Sequence, residues 1–212
     1  MKLLIAFLIT IFSNITHADV VTTNGSWLGT FTKKSIGDKT SIWAETQLRY
    51  NLSGGEMGQL LYRFGPLIKI NKFDFEFGAL YGYIQNNTSK EHRYTLQHSK
   101  NYDLFENWDL STRTRLEHRV RENTADTSQR FRTLARMSKS LSPKSKFVIW
   151  DEVFVNIKKN TWGGKTMDRN RFFIGLRSLK KNYNIEYGYL NQYVTNTDQK
   201  SMGHILVVYF NL

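Results

Sequence analysis

The stretch Trp108-Asp109-Leu110-Ser111-Thr112-Arg113-Thr114-Arg115-Leu116-Glu117-His118-Arg119-Val120-Arg121 decides the fold. Asp109, Ser111, Arg113, Arg115, Glu117, Arg119 and Arg121 alternate strictly with Trp108, Leu110, Thr112, Thr114, Leu116, His118 and Val120. Only an extended strand separates those two sets, because successive side chains of a strand point to opposite faces. One face is ionic and the other mostly apolar. A tilted strand of about 9–11 residues crosses a bilayer, so this one is long enough to do so.

The same alternation recurs on both sides of it, at 41–51, 57–70, 73–84, 91–99, 129–140, 146–157, 169–179, 183–193 and 203–212. Pro66 predicts a bulge or an interruption of the ladder within its strand. Asn71-Lys72 reads as a two-residue connection of the tight hairpin kind. Asp151 falls on the apolar side and breaks the pattern. The connections alternate between short ones, such as 142–145 and 180–182, and longer polar ones at 52–56, 85–90, 122–128, 158–168 and 195–202. Outer-membrane barrels show this asymmetry, with short periplasmic turns and longer extracellular loops. Trp162-Gly163-Gly164 in the longest loop is a candidate contact site.

The expected fold is therefore all-β, an antiparallel up-and-down transmembrane β-barrel of ten strands over 41–212. Residues 19–40 form a periplasmic segment or an extra strand, the stretch 26–33 being held out of the wall. Twelve strands is the alternative, if residues 19–33 hide a further pair. Ten strands place both ends in the periplasm.

Composition narrows the setting. Met1-Lys2, an apolar run over 3–12 and the short residues of 13–18 have the three parts of a secretory signal, so the mature chain is expected to begin at Asp19. No later run approaches the roughly 18 consecutive apolar residues that a membrane-spanning helix needs. The chain has no cysteine, which excludes a disulfide framework and a lipidated N-terminal cysteine. Its formal charge is +12, and loss of Lys2 with the signal leaves +11. Such a basic balance suggests nucleic acid, anionic lipid or anionic solutes as neighbours, and export removes nucleic acid from that set.

Three features turn the apolar faces toward lipid. The last strand ends with Phe210 and Leu212 on one face, similar to the C-terminal targeting signal of outer-membrane barrels, although Leu212 replaces the usual terminal aromatic. Aromatic residues (Phe73, Tyr83, Trp108, Phe147 and Tyr183) stand near strand ends, where interfacial girdles belong. Gly78, Gly82, Gly175 and Gly188 fall with the charged set, as a crowded lumen requires. The expected location is the bacterial outer membrane, and the expected partners are its lipids and lipopolysaccharide, the barrel assembly machinery through the C-terminal strand, and small anions.

Arg113, Arg115, Leu116, Glu117, His118 and Arg119, then Asp151, Glu152 and Phe154, then Asn170 and Arg171 ahead of Gly175, then Gly188, Tyr189, Asn191, Gln192 and Tyr193 resemble the bacterial family catalogued as domain of unknown function 2490. His118 stands where that family is expected to carry glutamine. The resemblance spans most of the mature chain and implies a small outer-membrane barrel, with its activity left open.

On this parity the lumen holds an ionic network of Arg49, Arg63, Glu76, Arg113, Arg115, Glu117, Arg119, Arg130, Arg132, Arg136, Glu152, Arg171, Arg177 and Glu186, with arginine in surplus. Buried charges must be paired, so the expected role is a small structural barrel plugged by arginine and glutamate, with Glu117 and Glu152 each bridging several arginines. The alternatives are a narrow anion-favouring pore and a lipid-acting enzyme. The enzyme would need a serine, a base and an orienting group in reach. Of the candidate bases His92, His98, His118 and His204, the first three share the lipid-facing parity. No hydrolase, metalloprotease or phosphate-loop motif occurs, and neither a metal nor a cofactor is expected.

Overall fold

Period-two alternation builds strands and little else. The computed structural model describes residues 20–52, 55–105, 107–158, 166–195 and 200–212. The export signal expected at 1–18 and the loop site at 162–164 lie outside the described residues. Eleven strands follow in order: β1 (Val20–Ser35), β2 (Thr40–Asn51), β3 (Glu56–Ile70), β4 (Phe75–Asn86), β5 (Lys90–Asp103), β6 (Trp108–Arg121), β7 (Thr127–Ser142), β8 (Ser145–Asn156), β9 (Met167–Leu179), β10 (Asn184–Val194) and β11 (Lys200–Asn211). Each is antiparallel to its neighbour in sequence, and β1 meets β11 to close a barrel.

The count is eleven rather than ten or twelve, because the segment before residue 41 supplies a wall strand. Gly25, Trp27 and Gly29 are buried toward the lumen while Leu28 and Thr30 are exposed, so β1 does alternate, but without an ion on either face of its central part. The odd number has a direct geometric effect. First and last strands of an up-and-down meander then point the same way, and the β1–β11 seam is parallel, with Val20 opposite Lys200 and Phe31 opposite Asn211. Val20 consequently starts at the mouth bearing the longer loops and β11 ends at the mouth bearing the short turns. The expectation of both chain ends on one side is overturned.

Two local expectations meet different fates. The β3–β4 ladder lapses at Gly65 and Pro66 while the register on either side is kept, Phe64 facing Tyr81 and Leu67 facing Gly78; proline has no N–H to give the ladder. The following connection is no two-residue turn. Asn71–Phe73 form one turn of 3-10 helix, closed by a hydrogen bond of 3.3 Å from the Asp74 N–H to the Asn71 carbonyl, with Asp74 in the left-handed region at φ 49°.

The direction of the two faces is plain. Leu206 is 64% exposed on the outside, Phe64 and Tyr94 each 55%, and Leu28, Phe77, Leu96, Leu116, Ile174 and Tyr187 share that outer surface. The ionic set faces inward, with Glu117 wholly buried. Part of the interior is apolar as well. Trp27, Leu134, Val148, Trp150, Phe173, Leu190, Ile205, Val207 and Tyr209 pack together against the lumen side of β1 and β7 to β11. Phe173 stacks on Trp150 at 5.1 Å between ring centres. Gly175 and Gly188 stand opposite each other beneath that ring; a Cβ on either would come within 2.6 or 2.9 Å of Phe173 Cζ. These glycines are on the lumen side because an aromatic ring occupies the space their side chains would need.

Candidate functional site

All thirteen arginines of the sequence project into the lumen. The strands bring them there because each arginine occupies an inward position of its strand, and a β-bulge adds an aspartate that strict alternation would miss. The β8–β9 register shifts between Phe154 and Val155, so both Asp168 and Arg169 turn inward, where Asp168 meets Arg130 and the Arg169 guanidinium lies over Phe154.

The expected network is assembled in three groups. In the middle, Glu117 accepts from Arg130 Nη2 at 2.6 Å and from Arg132 Nη1 at 2.6 Å, with Arg63 Nη2 at 3.7 Å from the far wall. Glu152 accepts from Arg132 Nη2 at 2.8 Å and Arg113 Nη2 at 3.2 Å, and Arg171 Nη1 lies 3.7 Å away. Arg63 also donates to Glu45 at 3.0 Å, and Arg130 to Asp168 at 2.7 Å. Toward the longer loops, Glu91 gathers Arg93, Arg119 and Arg121. Toward the short turns, Glu186 gathers Arg136 and Arg177. Glu76 lies apart from all three, paired with Lys33 near that mouth.

Arginine suits this lumen because its planar fork holds two acceptors at once, as Arg132 does between Glu117 and Glu152. Several pairs reach across the barrel rather than along the wall. Arg63 on β3 faces Glu117 on β6, Arg136 on β7 faces Glu186 on β10, and Lys33 on β1 faces Glu76 on β4. Aromatic rings complete the setting. Arg132 and Arg171 lie over Phe154 at 4.4 and 4.7 Å.

Arg49 and Arg115, both expected in the network, are inside the lumen but outside the ion pairs. Arg49 donates to Gln47 and Gln59, and Arg115 Nε donates to Gln97 at 2.7 Å. The expected network lacks Glu45, Glu91, Arg93, Arg121, Asp168 and Arg169, along with the three glutamines. The glutamines carry no charge, so a search for ions passes over them. Asp168 stands on the wrong parity until the bulge is known.

A cavity of about 440 Å³ lies within this arrangement. It touches Lys33, Asn101 and Asn211 at the short-turn mouth and Asn86, Ser89 and Arg121 at the other. Exposed Lys34, Lys39, Lys144, Lys180 and Lys181 crown the short-turn end.

The four candidate histidines stand elsewhere. His92 lies on the outer face with its Nδ1 2.6 Å from Tyr81 Oη and its Nε2 3.3 Å from Glu122. His204 is beside Tyr189, His98 beside Phe75 and His118 beside Tyr94. None is hydrogen-bonded to a serine among the described residues. Asp151, the misfit of the outer face, accepts from the Asn170 amide at 3.0 Å on the neighbouring strand.

No curated protein matches the chain. A family model described as protein of unknown function, DUF2490, matches residues 24–203, which takes in all but the first few residues of β1 and most of β11. The match covers far more than half of the sequence, and the chain belongs to the DUF2490 family.

Proposed function

We propose that this chain is an outer-membrane barrel whose lumen forms a narrow passage favouring small anions. The carrying observation is the cavity that touches residues of both mouths and is lined by arginines that outnumber the carboxylates. Rings of basic side chains select anions by lowering the energy of a negative charge inside a low-dielectric wall. The exposed lysines of the short-turn mouth add a long-range attraction that raises the local anion concentration. The membrane setting is supported by the outer face. A closed barrel that exposes Leu206, Phe64, Tyr94 and Leu96 while burying Glu117 and Arg130 has its polarity reversed relative to a barrel in water. Lipids and lipopolysaccharide are the neighbours that such a surface fits.

The passage is narrow, and a second reading draws on the same lumen. The pairs Arg63 with Glu117 and Arg136 with Glu186 cross the barrel, which favours a plugged structural barrel. Planar-bilayer recording of the refolded protein under a salt gradient separates the two. Discrete channels with a reversal potential on the anion side are the expected result. A folded, heat-modifiable barrel that never conducts overturns the passage and leaves the structural barrel.

A further inference from the structure

The lumen contains two kinds of arginine, and the difference between them marks a binding site. Most arginines have a carboxylate oxygen at salt-bridge distance. Among the described residues Arg49 and Arg115 have none, and each is held by neutral groups alone. The Arg49 guanidinium donates to Gln59 at 2.6 Å and to Gln47 at 2.7 and 3.1 Å, and it lies 4.0 Å from the centre of the Trp27 ring. Arg115 donates to Gln97 and lies 5.3 Å from the centre of the Trp43 ring. Both line the cavity. Arg115 is only 2% exposed, yet its Nη2 has no hydrogen-bond partner among the described residues.

Glutamine and tryptophan fix the plane of a guanidinium without cancelling its charge. A charge removed from water and left uncompensated is costly, and a buried N–H without an acceptor adds to that cost. A structural plug would place glutamate at 97, where the backbone accommodates a side chain of the same length. A retained charge with an unused donor suits a mobile anion.

We infer that Arg115 forms an oxyanion-binding site within the lumen, held ready by Gln97 and taking a small carboxylate or phosphate. The guanidinium fork matches two oxygens of one planar or tetrahedral oxyanion, a geometry that a halide ion cannot use. The site deepens the passage reading by naming its ligand class, and it also stands if the lumen is closed.

The test substitutes the holder and keeps the arginine. Gln97→Glu places a carboxylate on the Arg115 guanidinium, which now has none, at unchanged side-chain length. Calorimetric titration of the folded barrel in detergent uses inorganic phosphate, citrate and chloride as separate probes, with heat-modifiable mobility checking the fold. The parent is expected to bind phosphate or citrate and to ignore chloride, the stronger of the two identifying the oxyanion. The Gln97→Glu variant is expected to weaken that binding by about tenfold or more, the scale of a contact to a charged group. Arg115→Gln provides an independent loss. Parent-like oxyanion binding in the Gln97→Glu variant, or a parent that binds neither oxyanion, overturns the site. Oxyanion binding without any bilayer current keeps the site and overturns the passage. An anion current unaffected by the glutamate substitution, with no oxyanion binding, does the reverse.

Discussion

Arg63 and Glu117 belong to strands three apart in the wall, β3 and β6, yet Arg63 Nη2 and Glu117 Oε1 lie 3.7 Å apart. Glu117 is thereby tied to Arg63 on one side of the lumen and to Arg130 and Arg132 on the other. It is wholly buried and holds three guanidinia in place. Glu117→Gln leaves their charges facing one another without the central carboxylate. Removing one partner of a buried pair costs about 3–5 kcal/mol. The variant should therefore lose its heat-modifiable band at lower temperature and unfold at lower urea than the parent when both are reconstituted in vesicles.

The pair at the short-turn mouth should behave differently. Lys33 and Glu76 are 45% and 27% exposed in their side chains, so water already screens them. Glu76→Gln should cost no more than about 0–1 kcal/mol. The same unfolding assay gives the comparison: a loss as large as that of Glu117→Gln would contradict the distinction between mouth and middle.

Leu206 tests the outer face. It lies near the middle of β11, pointing away from the lumen, and is 64% exposed. Leu206→Arg should destabilise the reconstituted barrel by about 2–4 kcal/mol if lipid surrounds it at that depth. A neutral effect would argue for water there instead.

Gly188 has no space to spare. A Cβ at this position would come within 2.3 Å of the Ile174 carbonyl oxygen and 2.6 Å of Gly175 Cα, both backbone atoms that cannot swing aside. Gly188→Ala should cost about 1–3 kcal/mol, the range of an overpacked interior, read in the same vesicle assay. Gly37→Ala, in an open turn with nothing within 4 Å, should leave stability close to the parent value.

The parallel seam separates the chain ends. A protease-cleavable tag ahead of Val20 and another behind Leu212 should be cut from opposite faces of the bilayer in oriented vesicles. Cleavage of both from one face would contradict the eleven-strand closure.

Much of the wall was legible because ions mark it. The strand Trp108–Arg121 has the bounds that its alternation predicts, and the inward arginines of β6 and β7 follow from counting by two. Which face pointed inward was not legible from alternation, since a barrel in water would use the same pattern inverted. β1 was underestimated for a related reason. The seam strands pack Trp27, Ile205, Val207 and Tyr209 inside, so the contrast between ionic and apolar faces that announces the other strands fades there. The bulge at Asp168 and the glutamines that hold Arg49 and Arg115 depend on neighbouring strands. A single strand read alone contains no sign of either.

The odd strand count also limits how such a fold can be rearranged. Circular permutation is tolerated in domains whose ends lie close together, and here Val20 and Asn211, the two ends of the barrel wall, are separated by its full height. A linker joining them would need on the order of a dozen extended residues and would have to run through the lumen or through the surrounding medium. The chain can lengthen by gaining whole hairpins, which preserves the parity of its strands and keeps the seam parallel. Gain or loss of one strand at either end would instead place the two ends at one mouth and require a new antiparallel closure, so the present start of β1 is fixed by the way the circle is joined.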